Sequence, residues 1–163
     1  SSTPPPPAPP PDPTPPKQTR SATFMAVDAG STDRNRVRWW TGQPHASDST
    51  MGAWFYGTQI KDTIPANAEL VSIEFYVSRQ RDQGGAPNFG LHGDAYKGGV
   101  PNVQVTGAWD PAGGWRVLPW PEWFGHLKAG GGFYGIGLNR GGYNVFSSLA
   151  QDSMSGALRI SWR

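Results

Sequence analysis

Three histidines (His45, His92, His126), three glutamates (Glu69, Glu74, Glu122) and no cysteine bound the chemistry open to this 163-residue sequence. The histidines are too far apart to suggest a preformed metal site, and neither His-Glu-x-x-His nor His-x-His occurs. No Gly-x-Ser-x-Gly elbow marks a serine nucleophile, and no two glutamates have the setting of an acid and base paired across a cleft. Without cysteine there is no thiol catalysis, no Cys-based zinc site and no disulfide. That composition suits assembly in a reducing compartment even for a protein that later works outside. The residues therefore predict a protein that is not an enzyme and needs no cofactor.

Two stretches imitate ligand sites in outline. "KAGGGFYGIGLNRGG" (128–142) is glycine-dense, but a phosphate loop needs glycines that leave a strand and enter a helix, and here the order is reversed. The glycines at 130–132 are expected to end a short helix and turn into a strand, with Gly135 and Gly137 on one strand face where a large aromatic ring lies against the backbone. "DAGSTDRNR" (28–36) offers Asp28, Asp33 and Asn35 as oxygen ligands for calcium, without the register of an EF-hand loop. The expectation for it is a turn rich in Asx residues.

Aromatic residues are the positive signal. They make up 12% of the chain and include eight tryptophans, more than one core of this size normally uses. Tyr96 in "GDAYKGG", Trp109 in "GAWDPAGG" and Tyr143 in "RGGYNVF" sit among Gly, Pro, Asp and Asn, which places them on loops. Rigid rings there can stack on sugar faces while polar neighbours, Asp94 and Asn144, bond to hydroxyls. These five residues form the predicted ligand site. The strand-borne Trp39, Trp40 and Trp54 are the next candidates.

The elements that must carry such a site are β-strands. In residues 70–78 (LVSIEFYVS), Val71, Ile73, Phe75 and Val77 alternate with polar neighbours, one face core and the other wet. An aromatic strand at 51–60 leads into it through a turn at Pro65 and Asn67, an antiparallel pairing. Further strands are expected at 22–28, 36–40, 88–93, 115–118, 133–139 and 156–162. One short helix is expected after Trp120, with Pro121 in its first turn, Phe124 and Leu127 on the same side as Trp120, and glycines at its end. Regular strands with glycine-rich turns predict an all-β fold, an antiparallel β-sandwich of jelly-roll type with one short helix.

Organisation follows from composition. Ten of the seventeen prolines fall in residues 1–16, so residues 1–20 are expected to form an extended, semi-rigid linker, with the folded domain at 21–163. The chain starts at Ser1, so it is expected to continue from upstream sequence. Net charge is +2 with both signs scattered, which shows no nucleic-acid footprint, and apolar runs of a few residues predict no membrane insertion.

The order "GAWFYGTQIKDTIPANAELVSIEFYVSR", "FGLHG", "LPWPEWFGHLKAGGGFYGIGL" and "SGALRISWR" resembles the C-terminal domains of minor tail proteins, or tail-fibre tips, of phages infecting actinobacteria. The matched segments cover much of residues 53–163. This resemblance implies a jelly-roll domain like a carbohydrate-binding module. It implies a virion location at the distal tail, exposed to the host surface, with a host cell-wall glycan or surface receptor and other tail proteins as partners, in a possible homotrimer. Two other functions fit the same residues: a carbohydrate-binding module of a secreted actinobacterial hydrolase, and a purely structural trimeric knob.

Overall fold

The computed structural model describes residues 2–13, 15 and 17–163; Ser1, Thr14 and Pro16, part of the predicted linker, lie outside the described residues. The described residues before Arg20 form no helix or strand. From there the chain runs through β1 (Arg20–Phe24), β2 (Asp28–Asp33), β3 (Trp39–Thr41), β4 (His45–Ala46), β5 (Thr50–Phe55), α1 (Gln59–Thr63), β6 (Leu70–Val77), β7 (Arg79–Gln83), β8 (Asn88–His92), β9 (Gln104–Ala108), β10 (Gly114–Val117), α2 (Trp123–Leu127), β11 (Gly135–Asn139), β12 (Tyr143–Phe146) and β13 (Leu158–Trp162).

All strand pairings are antiparallel, and the fold is an all-β sandwich. A four-stranded sheet runs β1-β13-β6-β10, a six-stranded sheet runs β3-β2-β5-β11-β8-β9, and a small third sheet runs β4-β12-β7. The core fills the space between the first two around Trp54, which is fully buried. Its indole meets Phe75 of the facing sheet edge-on at 5.3 Å, meets Phe146 likewise at 5.3 Å, and lies parallel to Phe89 at 6.5 Å. Aromatic rings at these separations add to the gain from burial alone, about 0.5–1.5 kcal/mol per pair.

The alternation in β6 holds where a hydrophobic face meets that core. Ile73, Phe75 and Val77 are buried, but Val71 is 48% exposed. A register shift between Ser161 and Trp162 sets Leu70 opposite Trp162, and Trp162 is buried there. The strand expected at 22–28 is divided between two sheets: β1 pairs with β13, while β2 begins at Asp28 and pairs with β5. The segment expected to be an Asx turn is thus largely strand, because Ala29, Gly30, Ser31 and Thr32 are buried against neighbouring strands.

Among the described residues two helices form where one was expected. β5 stops at Phe55, Gly57 turns the chain with φ +60°, and α1 takes residues that were expected to extend the strand. The Thr58 hydroxyl donates to the Asp62 carboxylate at 2.7 Å across the new turn. The anticipated pairing of β5 with β6 is therefore absent: the two strands lie in different sheets, and α1 with the Pro65 turn carries the chain between them. The second helix matches its prediction in kind. In α2, Phe124 and Leu127 are buried, Trp123 joins them, and Trp120 stacks on Trp123 at 4.9 Å.

α2 ends at Lys128, whose backbone is extended (φ −69°, ψ 173°), so the expected glycine cap does not form and the glycines make the turn that follows. Gly130 has φ +85°, the Gly131 amide donates to the Lys128 carbonyl, and a Cβ on Gly131 would overlap the carbonyls of Gly125 and His126. β11 then starts at Gly135, two residues later than expected. What lies on the bare faces of Gly135 and Gly137 is the His92 imidazole and the Val103 side chain, where a large aromatic ring was anticipated.

Candidate functional site

The predicted site residues do not share a surface. Asp94 and Tyr96 follow β8, whose His92 stands opposite Gly135 at the start of β11, whereas Tyr143 and Asn144 follow the far end of β11. Tyr96 is 63% exposed, with its phenol lying along the backbone of Gly57. Asp94 is half-buried and its amide donates to His92 Nδ1 at 3.1 Å.

Two of the five face inward. Trp109 is half-buried on the core, 5.2 Å from Phe89, 6.0 Å from Phe75 and 5.9 Å from Trp120. Asn144 is fully buried, its amide donating to the carbonyls of Gly85 (3.0 Å) and Gly141 (2.7 Å) while Oδ1 accepts from Arg79. Each of its polar atoms is thereby engaged within the fold, which corrects its assignment as a ligand-binding residue. The reason is strand alternation: when Tyr143 of β12 faces out, its neighbour must face in.

Tyr143 stays available and belongs to a larger arrangement. In the third sheet His45 of β4 stands opposite Val145, and Val145 opposite Arg81 of β7. Tyr143 is two residues from Val145 on the same face. The His45 imidazole meets the Trp40 indole edge-on at 4.9 Å and the Tyr143 ring at 5.9 Å, so it sits between two outward rings, 45% and 42% exposed. The Arg81 guanidinium lies 4.9 Å over the Tyr143 ring. Trp40, His45, Tyr143 and Arg81 together form an aromatic ledge with a cation at one end.

Burial, and then the nearby charge of Arg81, lowers the His45 pKa, so its imidazole is neutral at pH 7. Its Nε2 is buried and has no hydrogen-bond partner among the described residues. The ledge contributes ring faces, one guanidinium and the amide of Gln83, which accepts from Arg81 at 3.2 Å. Such groups bind and orient; among them is no hydroxyl paired with a base to act as a nucleophile.

Arg81 was not among the predicted site residues, and Trp40 stood only among the next candidates. The adjacent pair Trp39–Trp40 in a strand does require one ring in and one out. Trp39 is the inward one, edge-on to Phe55 at 5.6 Å with its indole N–H donating to the Gly98 carbonyl at 2.8 Å. That Trp40 lands beside Tyr143 depends on β4 and β7, two strands that carry no hydrophobic alternation.

The calcium possibility meets a different arrangement of charge. The Asp33 carboxylate accepts from Arg36 and Arg38, which lowers its pKa, and Asp28 pairs with Lys97 at 3.0 Å. Among the described residues no group of three or more His, Asp or Glu side chains is placed to hold a metal ion. A groove of about 850 Å³ lies between residues 17–22 and 63–68. Of its cations, Lys17 and Arg163 both face Glu69, at 3.7 and 3.6 Å. Among the described residues no helix is long and apolar enough to cross a membrane. No protein-family model, curated protein or solved structure matches this chain.

Proposed function

We propose that this chain is a non-catalytic binding domain for a host cell-wall glycan, carried at the distal, host-facing end of a phage tail protein. The observation that supports it is the ledge: Trp40 and Tyr143 hold their rings in solvent on either side of a buried, unpaired histidine, instead of closing the core. Stacking of a sugar's C–H face on such rings is favourable because it removes apolar surface from water while leaving hydroxyls at the rim for Arg81 and Gln83. The phage context rests on the sequence resemblance and on the proline-rich segment ahead of β1, a spacer suited to reaching outward.

Retention of the chain on purified actinobacterial cell walls, followed by fractionation of the wall polymers, tests this reading. Trp40→Ala and Tyr143→Ala should each remove about 1–3 kcal/mol of wall binding, with small changes in stability because both rings are nearly half exposed. Walls that do not retain the parent chain, or that retain both variants equally well, would overturn it.

A further inference from the structure

Between β9 and α2 lies a cleft of about 320 Å³ that shares no residue with the ledge. Leu91, Val105 and Phe133 give it an apolar lining, and Gln104, Glu122 and His126 stand around them. Most polar side chains near the core of this protein are committed: Asn144, Arg79, Lys61 and Ser155 all bond within the fold. Gln104, Glu122 and His126 are instead exposed at the rim of the cleft. Among the described residues, the Gln104 amide, the Glu122 carboxylate and the His126 imidazole have no hydrogen-bonded or ion-paired partner, though all three border one cleft.

The walls are held in place independently of any ligand. Trp123 donates its indole N–H to Thr106 Oγ1 at 2.9 Å, tying α2 to β9. The Lys61 ammonium donates to the carbonyls of His126 (3.2 Å), Lys128 (3.1 Å) and Gly131 (2.6 Å), fixing the carboxyl end of α2. Phe133 is set by its backbone N–H, which donates to the His126 carbonyl at 3.1 Å, and its ring meets the His126 imidazole edge-on at 5.5 Å. A preformed cleft spends little of a ligand's binding energy on ordering the protein.

We propose that this cleft is a second binding site, for one neutral sugar ring. Its volume is at the small end of the range for ligand pockets, about 300–1,000 Å³. That suits a single ring with part of a neighbour and is too small for a packed chain. The Phe133 face and the aliphatic lining match the C–H face of a pyranose. An amide, a carboxylate and an imidazole supply both acceptors and donors for hydroxyls. Glu122, with no cation paired to it, selects against uronic acids and phosphorylated sugars by like-charge repulsion. The proposal stands on this lining and not on the ledge, so each can fail without the other.

Titrating the isotopically labelled full chain with the methyl glycosides of galactose, glucose, mannose and galacturonic acid, the last with its carboxylate free, tests it by amide chemical shifts. At least one neutral glycoside should move the amides of residues 104–106 and 122–126 with a Kd of about 1–10 mM, as expected of a small ligand with few contacts. The methyl glycoside of galacturonic acid, an anion at neutral pH, should bind more weakly than methyl galactoside, and Glu122→Gln should narrow that difference. Phe133→Ala should weaken the neutral sugar by about fivefold to a hundredfold. Gln104→Leu, on an exposed strand position, should weaken it without disturbing the fold. Tyr143→Ala should leave it unchanged. If no neutral glycoside shifts these amides, or if the uronate binds as well as the neutral sugar, the proposal is wrong, whatever the wall-retention result for the ledge.

Discussion

A Cβ on Gly156 would overlap Cδ1, Cγ and Nε1 of the Trp54 indole, so the loop entering β13 lies flat on a fully buried ring. The same loop is bonded to that ring and to its neighbour: Trp54 Nε1 donates to Ser155 Oγ at 3.2 Å, and the Tyr56 hydroxyl donates to the Gly156 carbonyl at 2.6 Å. Gly156 also has φ +76°, where a side chain is strained. The Gly156→Ala variant therefore suffers twice, by overlap with a rigid ring and by backbone strain. It should lose about 2–4 kcal/mol of stability, read as a lower urea midpoint with an unchanged slope. A loss under about 0.5 kcal/mol would mean that the loop can lift off Trp54.

Trp109 and Tyr96 looked alike in the sequence but should behave differently on truncation. Trp109 packs on Phe75, Phe89 and Trp120, while Tyr96 is mostly in solvent. Trp109→Ala should cost about 2–4 kcal/mol of folding stability and leave wall binding per folded molecule unaltered. Tyr96→Ala should stay within about 0.5 kcal/mol of the parent. Chemical unfolding of both variants checks this, and equal stabilities would contradict the placement of Trp109.

What could be read from the sequence was what a single buried face imposes. Residues 158–162 alternate Leu158, Ile160 and Trp162 inward against Arg159 and Ser161, and they form a strand in the predicted place. β7 (RQRDQ) has no apolar residue and gives no such signal. It forms because its backbone pairs with β12 and because Arg79 turns inward over the Phe146 ring at 5.1 Å, a contact made only by the tertiary fold. The ledge inherits that obscurity. Tyr143 was visible through its glycine neighbours, but Arg81 and Trp40 reach it only through the pairings of β7 and β4 with β12. Asn144 was misplaced for a reason the sequence did contain, since an outward Tyr143 in a strand forces the next residue inward.

Stability should fall on mild acidification because two imidazoles are held neutral. His92 Nε2 lies 2.9 Å from the Trp54 carbonyl and so carries the proton, while Nδ1 accepts from the Asp94 amide. A second proton on Nδ1 would face that N–H, and burial, the largest cause, pushes the pKa of His92 down despite the nearby Asp94 charge. Burial likewise lowers His45, which Arg81 also opposes. Both folded pKa values lie below the unfolded value of about 6.5, so the unfolded chain binds more protons once pH drops through it. Stability should be level from about pH 8 to about pH 7 and decline below about 6.5. Asp33, whose pKa the Arg36 and Arg38 hydrogen bonds lower, adds a separate loss below about pH 4, the unfolded carboxylate range. His92→Gln should flatten the first decline and leave the second. Urea midpoints measured across this range test both windows, and a curve flat from about pH 8 to about pH 5 would contradict the first.

The proline-rich segment touches the domain weakly: Lys17 stands 3.7 Å from Glu69, with both side chains more than half exposed. A surface pair of that kind is worth about 0–1 kcal/mol. β1 is different. From Arg20 opposite Trp162 to Phe24 opposite Leu158 it completes the four-stranded sheet, and Phe24 is buried in the core. Removing residues 1–19, which takes away Lys17 and its contact with Glu69, should change the unfolding free energy by less than about 1 kcal/mol. Extending the deletion through Phe24 exposes the edge of β13 and removes a core phenylalanine, at a cost of about 3–5 kcal/mol for the side chain alone. Thermal and urea unfolding of the two truncations distinguishes them. A large loss from the shorter deletion would mean that the prolines dock on the domain, and a small loss from the longer one would mean that β1 is not part of the folded unit.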